Sequence, residues 1–159
     1  MPTKHDTALL LVNLGTPDAP TPNAVRRYLA EFLHDRRVVS LTRWLWCPLL
    51  HFIILPIRGP KVAKKYAEIW MDGGSPLAVH TRDLAAATQA LLPNLRVAWA
   101  MRYGKPAMAD VVAALRESQP EVQSVIVTIH DDDDHLFPAL QAGAFGYVLK
   151  EQPREHFVD

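Results

Sequence analysis

The sequence predicts an α/β fold, a parallel sheet of about four strands with helices on both faces. Three observations predict it. Apolar runs recur at residues 7–12 (TALLLV), 96–101 (RVAWAM), 124–129 (SVIVTI) and 146–149 (GYVL), and being continuous rather than alternating they read as strands buried on both faces. Between the later runs lie segments whose apolar residues recur at helical spacing. Clusters of glycine, proline and asparagine separate the two kinds of segment. Such alternation calls for right-handed crossovers and a three-layer sandwich of the flavodoxin or Rossmann type.

The elements follow in order. The first strand ends in Asn13, Leu14, Gly15, Thr16 and Pro17, which read as a tight turn above the sheet. Thr21 followed by Pro22 is a helix start, a capping hydroxyl with proline at the first helical position. Val25, Tyr28, Leu29 and Phe32 then share one face as far as about His34. Residues 38–60 hold Trp44, Trp46, Leu49, Leu50, Phe52, Ile53 and Ile54 but are broken by prolines, so they read as a long excursion rather than a crossover helix. A helix over residues 60–70 follows, then a turn at Gly73, Gly74, Ser75 and Pro76. Helices over residues 80–92, 107–118 and 132–142 precede the second, third and fourth strands, and residues 152–158 read as the first turns of one more helix.

At 159 residues the chain fits one domain with its own core. Lysine plus arginine equals aspartate plus glutamate at 17 each, so no global field draws it to nucleic acid, and no such partner is expected. Cys47 is the only cysteine, which leaves no internal disulfide and no cysteine-based zinc site and fits a reducing compartment; the expected location is the cytoplasm. Residues 1–6 are polar and the run after them is broken by Asn13 and Gly15, a poor signal peptide. The longest apolar stretch, residues 45–57, is interrupted by Pro48, His51 and Pro56. It is shorter than the roughly 20 residues of a membrane-spanning helix, so it can lie on a bilayer but not cross it.

Several segments, in order and spacing, resemble the N-terminal half of a ferrochelatase: LLLVNLGTP, YLAEFLHDRRVV, the Trp-rich excursion, KKYAEIW, GGSPLAVHT and AMRYGKP. The resemblance covers residues 7–117. It implies a lyase of haem biosynthesis that inserts ferrous iron into protoporphyrin IX in a cleft between two similar α/β domains. It also implies that Leu14, Gly15, Thr16 and Pro17 form the loop against the macrocycle, where a glycine lets backbone approach a flat ring. Tyr66, Ser75, Arg102 and Tyr103 would then be the cleft-side polar set, with Arg102 suited to pairing bidentately with a porphyrin propionate. The lip that begins at Trp44 and ends at Ile57 would border the cleft and rest on a membrane surface, or mediate homodimerisation if left uncovered.

The family's metal-handling histidine and acidic residue belong to its second domain, and nothing in this chain matches them. His5, His34, His51, His80, His130, His135 and His156 are scattered, with no HxxxH or HExxH spacing to make a ligand pair. Each reads as structural or solvated; no metal site, no bound cofactor and no catalytic residue is expected. The ring must be gripped between two walls for metal insertion. Porphyrin and ferrous iron are thus candidate substrates for a chain expected to be catalytically incomplete by itself.

From about Pro120 the text changes. PEVQSVIVTIHDDDDHLFPALQAGAFGYVLKEQPRE resembles the C-terminal third of a bacterial response-regulator receiver domain. The resemblance implies that Thr128 is the hydroxyl closing on a phosphoaspartate, Lys150 the phosphoryl-binding cation and Tyr147 the aromatic switch. The phosphoacceptor aspartate and the acidic magnesium pair have no counterpart, since the corresponding strands end in Asn13, Leu14 and in Met101, Arg102, Tyr103. Asp131, Asp132, Asp133 and Asp134 read as a helix start, because successive helical carboxylates diverge by about 100° and do not converge on one ion. The expectation is a single composite α/β domain, residues 1–159. It joins a ferrochelatase-like segment, residues 1–117, to a receiver-like segment, residues 120–159, between Glu117 and Glu121. Non-enzymatic porphyrin binding and receiver-like signalling are the alternatives to enzymatic function.

Overall fold

The computed structural model describes residues 7–118 and the backbone of residues 123–128 and 146–149. In chain order these residues form β1 (Thr7–Thr16), α1 (Pro22–His34), α2 (Arg43–Leu49), a π-helical turn (Leu50–Ile54), α3 (Leu55–Ile69) and α4 (Pro76–Leu91). Then come β2 (Arg96–Gly104), α5 (Met108–Ser118), β3 (Gln123–Thr128) and β4 (Gly146–Leu149). The four strands make one sheet in the order β2-β1-β3-β4. β3 runs parallel to β1, with Leu10 opposite Ile126, and β4 runs parallel to β3, with Ile126 opposite Tyr147. This is the expected α/β class. The helices foreseen at residues 132–142 and 152–158, with Asp131 to Asp134 and Lys150, lie outside the described residues.

The described chain gathers into two compact units. The first takes β1 up to Leu14, residues 81–102 and the chain from Pro106 onward; the second takes residues 15–80 with Tyr103, Gly104 and Lys105. In the first unit Leu10, Val12, Ala100 and Val112 form a buried cluster flanked by Ala98, Met108 and Val111, so α5 covers one face of β1 and β2. Leu11, on the other face of β1, is also buried, which is why this strand reads as unbroken apolar sequence. Gln89 of α4 secures the start of β2, donating to the Leu95 carbonyl at 2.7 Å and accepting from the Val97 amide at 2.7 Å.

In the second unit α1 begins as its sequence directs. Thr21 is extended (φ −105°, ψ 150°) and its hydroxyl accepts from the Ala24 amide at 3.4 Å, with Pro22 opening the helix. α1 packs on α3, and Gly59 lies at a close approach: a Cβ there would stand 2.5 Å from Arg26 Cγ. Ala24, Val25, Leu50, Leu55 and Ala63 are buried in this unit.

Four boundaries differ from expectation. Within the excursion at residues 38–60, residues 43–60 are helical throughout. Pro48 sits inside α2, Pro56 in the first turn of α3 and Pro60 within α3, which starts at Leu55 rather than at Pro60. An internal proline costs a helix roughly 3 kcal/mol, and complete burial of Leu50 (0 % exposed) opposes that cost. The interruption appears instead as the π turn, where the Leu55 amide bonds the Leu50 carbonyl five residues back. α4 starts at Pro76, not residue 80, because Ser75 accepts from the Ala78 amide at 3.2 Å. β1 continues through Asn13 to Thr16 and β2 through Arg102 to Gly104, so the expected turn at Asn13 to Pro17 is largely strand.

Candidate functional site

Both strand extensions rest on glycines. Gly15 has φ 128° and Gly104 φ 82°, a region that residues with a Cβ rarely enter. The two tips lie backbone against backbone in the second unit. A Cβ on Gly15 would collide with the Tyr103 carbonyl oxygen, and one on Gly104 would stand 2.6 Å from the Thr16 carbonyl oxygen. Each glycine is therefore required twice, for its dihedral and for the space.

α1 supplies a row of polar groups to these tips. The Tyr28 hydroxyl donates to the Gly15 carbonyl at 3.2 Å, and the Gly104 amide donates to Glu31 Oε2 at 3.0 Å. The Tyr103 hydroxyl donates to Asp35 Oδ2 at 2.5 Å, a short bond to a carboxylate, while Asp35 Oδ1 accepts from the Arg37 amide at 2.9 Å. Residues 28, 31 and 35 are spaced three and four apart and so share one helix face. Aromatic packing follows the same row: Phe32 stacks on Tyr28 (centroids 6.1 Å, 11°) and meets Tyr103 edge-on (5.3 Å, 86°). Burial, with the Tyr66 phenol and the Glu31 carboxylate as lesser causes, pushes the Tyr28 phenol from 10.0 up to about 12.

The expected site residues fall in several places. Gly15, Thr16 and Tyr103 are brought together at the tips, with Pro17 buried beside them along the chain. Thr16 is only 4 % exposed and its Oγ1 has no hydrogen-bond partner among the described residues, an arrangement that costs about 1–3 kcal/mol. Tyr66, on α3, stands near the Tyr28 phenol and packs edge-on against Trp70 at 6.2 Å. Ser75 is buried and its hydroxyl caps α4. Leu14 and Arg102 precede Gly15 and Tyr103 in the chain but belong to the first unit, where neighbouring Asn13 donates to Thr81 Oγ1 at 3.0 Å. Thr128 and Tyr147 lie on β3 and β4.

Sequence reasoning missed Glu31, Asp35 and Gly104 and read Tyr28 only as an apolar-face residue; the signal available was the polar spacing along α1. It also missed a local cluster. His34 Nδ1 lies 2.6 Å from the Ala30 carbonyl, His34 Nε2 lies 3.8 Å from Cys47 Sγ, and the His34 and His51 rings are 5.1 Å apart. Among the described residues no group of three or more histidine, cysteine or acidic side chains could hold a metal ion. The lip is strongly exposed at Trp44 (73 %) and Phe52 (81 %), and no described helix is long and apolar enough to cross a membrane.

A sheet in which β1, β3 and β4 run parallel, accompanied by helices, defines an α/β protein compatible with the Rossmann-like class. The ferrochelatase family model matches residues 6–130, and the chain belongs to that family. It is 61 % identical over 116 residues to the ferrochelatase of Xanthomonas axonopodis pv. citri (strain 306), an alignment covering 73 % of this chain and 36 % of that protein. It is 61 % identical over 114 residues to the ferrochelatase of Xylella fastidiosa (strain M12), covering 72 % and 36 % respectively. The chain thus spans about a third of the length of these relatives.

Proposed function

We propose that this chain forms one wall of a porphyrin site, in a protein whose whole activity is insertion of ferrous iron into protoporphyrin IX. One observation carries the reading: the backbone-to-backbone seam between Gly15–Thr16 and Tyr103–Gly104, with the buried, unpartnered Thr16 hydroxyl inside it. A buried hydroxyl without a partner is uncommon in native folds, which supports a site at this seam. The residues that the family resemblance assigns to the wall are Leu14, Gly15, Thr16 and Pro17, with Tyr66, Ser75 and Tyr103. Arg102 supplies a cation for a propionate. Binding, not metal insertion, is the activity proposed for the segment itself, since insertion needs a second wall to grip and distort the ring.

Protoporphyrin titration followed at the Soret band tests this. A saturable shift supports the reading, and no change at tens of micromolar porphyrin overturns it. Adding ferrous iron or zinc under reducing conditions should yield no metalloporphyrin; measurable product would overturn the reading that these residues bind porphyrin without inserting metal.

The exposure of Trp44 and Phe52 supports a peripheral role for the lip, on a membrane surface from the cytoplasmic side or between two copies of the chain. For residues 120–158 the receiver-like reading rests on sequence resemblance alone, with Thr128, Tyr147 and Lys150 as its switch residues. The family match runs through residue 130, beyond the join placed between Glu117 and Glu121. Acetyl phosphate labelling tests the receiver reading, which fails if no phosphoaspartate appears.

A further inference from the structure

Resting on the porphyrin reading, we propose that Asp35, with Tyr28 and Glu31, is a positioning residue: it holds the Tyr103 phenol and fixes the wall without touching the ligand. Tyr103 invites a different role, direct hydrogen bonding of its hydroxyl to the substrate. The geometry assigns that hydroxyl elsewhere. A tyrosine hydroxyl has one proton to donate. Tyr103 gives it to Asp35 Oδ2 at 2.5 Å, a charge-assisted bond. Its ring is pinned edge-on by Phe32 at 5.3 Å, and only 4 % of the residue is exposed.

Asp35 is itself immobilised. It closes α1 in an extended conformation (φ −66°, ψ 125°), its carbonyl accepts from the Val38 amide at 3.1 Å and the Val39 amide at 3.0 Å, and its second carboxylate oxygen holds the Arg37 amide. The same helix face reaches the tip of β1 through Tyr28 and the last residue of β2, Gly104, through Glu31. Three bonds from one rigid helix therefore set the two tips relative to α1 itself. Loosening one should misplace backbone that the ring packs against.

A double-mutant cycle on the full chain distinguishes positioning from direct contact. Porphyrin affinity is measured for the wild type, Tyr103→Phe, Asp35→Ala and the pair, with unfolding midpoints as controls; Asp35→Leu, which keeps the bulk but has no acceptor, replaces Asp35→Ala if the latter does not fold. Each single variant is expected to weaken porphyrin binding by about tenfold, the scale of one hydrogen bond to a charged group. The pair should bind no worse than either single variant. If Tyr103→Phe weakens binding further in the Asp35-substituted background, the hydroxyl contacts the ligand and the positioning role is overturned. Unchanged affinity in both single variants overturns it as well. Absence of porphyrin binding by the wild type overturns the site reading together with this inference, whereas binding with additive losses overturns this inference alone.

Discussion

Gly104 lies so close to Thr16 that a Cβ added to it would stand 2.6 Å from the Thr16 carbonyl oxygen, and its φ of 82° places it where side chains are strained in any case. Gly104→Ala therefore meets two penalties. It should destabilise the protein by on the order of 2 kcal/mol, read as a shift in the denaturant midpoint at constant slope. Gly15→Ala should cost at least as much, because its Cβ would collide with the Tyr103 carbonyl.

The helix caps separate structural from ligand-facing serine. Thr21→Ala and Ser75→Ala each remove a hydroxyl that accepts a helix amide, so each should cost about 1 kcal/mol in chemical denaturation. Ser75 is only 1 % exposed, so Ser75→Gly, a cap residue that adds neither bulk nor buried charge, should recover most of the loss. If Ser75→Gly restores stability but not porphyrin affinity, the hydroxyl has a ligand role besides capping.

Alkaline stability should report on Tyr28. Its folded-state phenol titrates near 12 against 10.0 when unperturbed, so the unfolded chain loses the proton first as pH rises. The stabilisation is complete below pH 10, declines between 10 and 12, and is gone above. In Tyr28→Phe the contribution of this group disappears, and urea midpoints measured from pH 9 to 12 should fall less steeply than in the wild type.

Exposed and buried apolar residues should respond oppositely. Trp44→Glu and Phe52→Glu, at positions 73 % and 81 % exposed, should change stability by less than about 0.5 kcal/mol. They should reduce self-association in sedimentation or binding to anionic vesicles. Leu10→Ala, at a position that is 0 % exposed in the β1 core, should cost about 2–5 kcal/mol without affecting either surface property.

The α/β class, the four strands and the start of α1 were legible because continuous apolar runs and Thr21-Pro22 carry their own physical meaning. Ser75-Pro76 is the same helix-start signal, but reading Ser75 as a cleft residue concealed it. The prolines at 48, 56 and 60 suggested that helix began only at residue 60, since the burial of Leu50 and Leu55 that offsets their cost is a tertiary fact. Gly15 stood out as a residue for close approach. What it approaches, the Tyr103 carbonyl 88 positions away, becomes visible only once the strands are placed. The α1 row was hidden for the same reason, because Glu31 and Asp35 look like solvent-facing charges until the strand tips arrive beside them.

Mapping backbone amides by NMR as protoporphyrin is added tests most directly whether the strand tips are the ligand wall. Shift changes should concentrate at Leu14, Gly15 and Thr16 and at Arg102, Tyr103 and Gly104. Saturable binding that leaves these amides unmoved, with changes confined to the lip around Trp44 and Phe52, would contradict it.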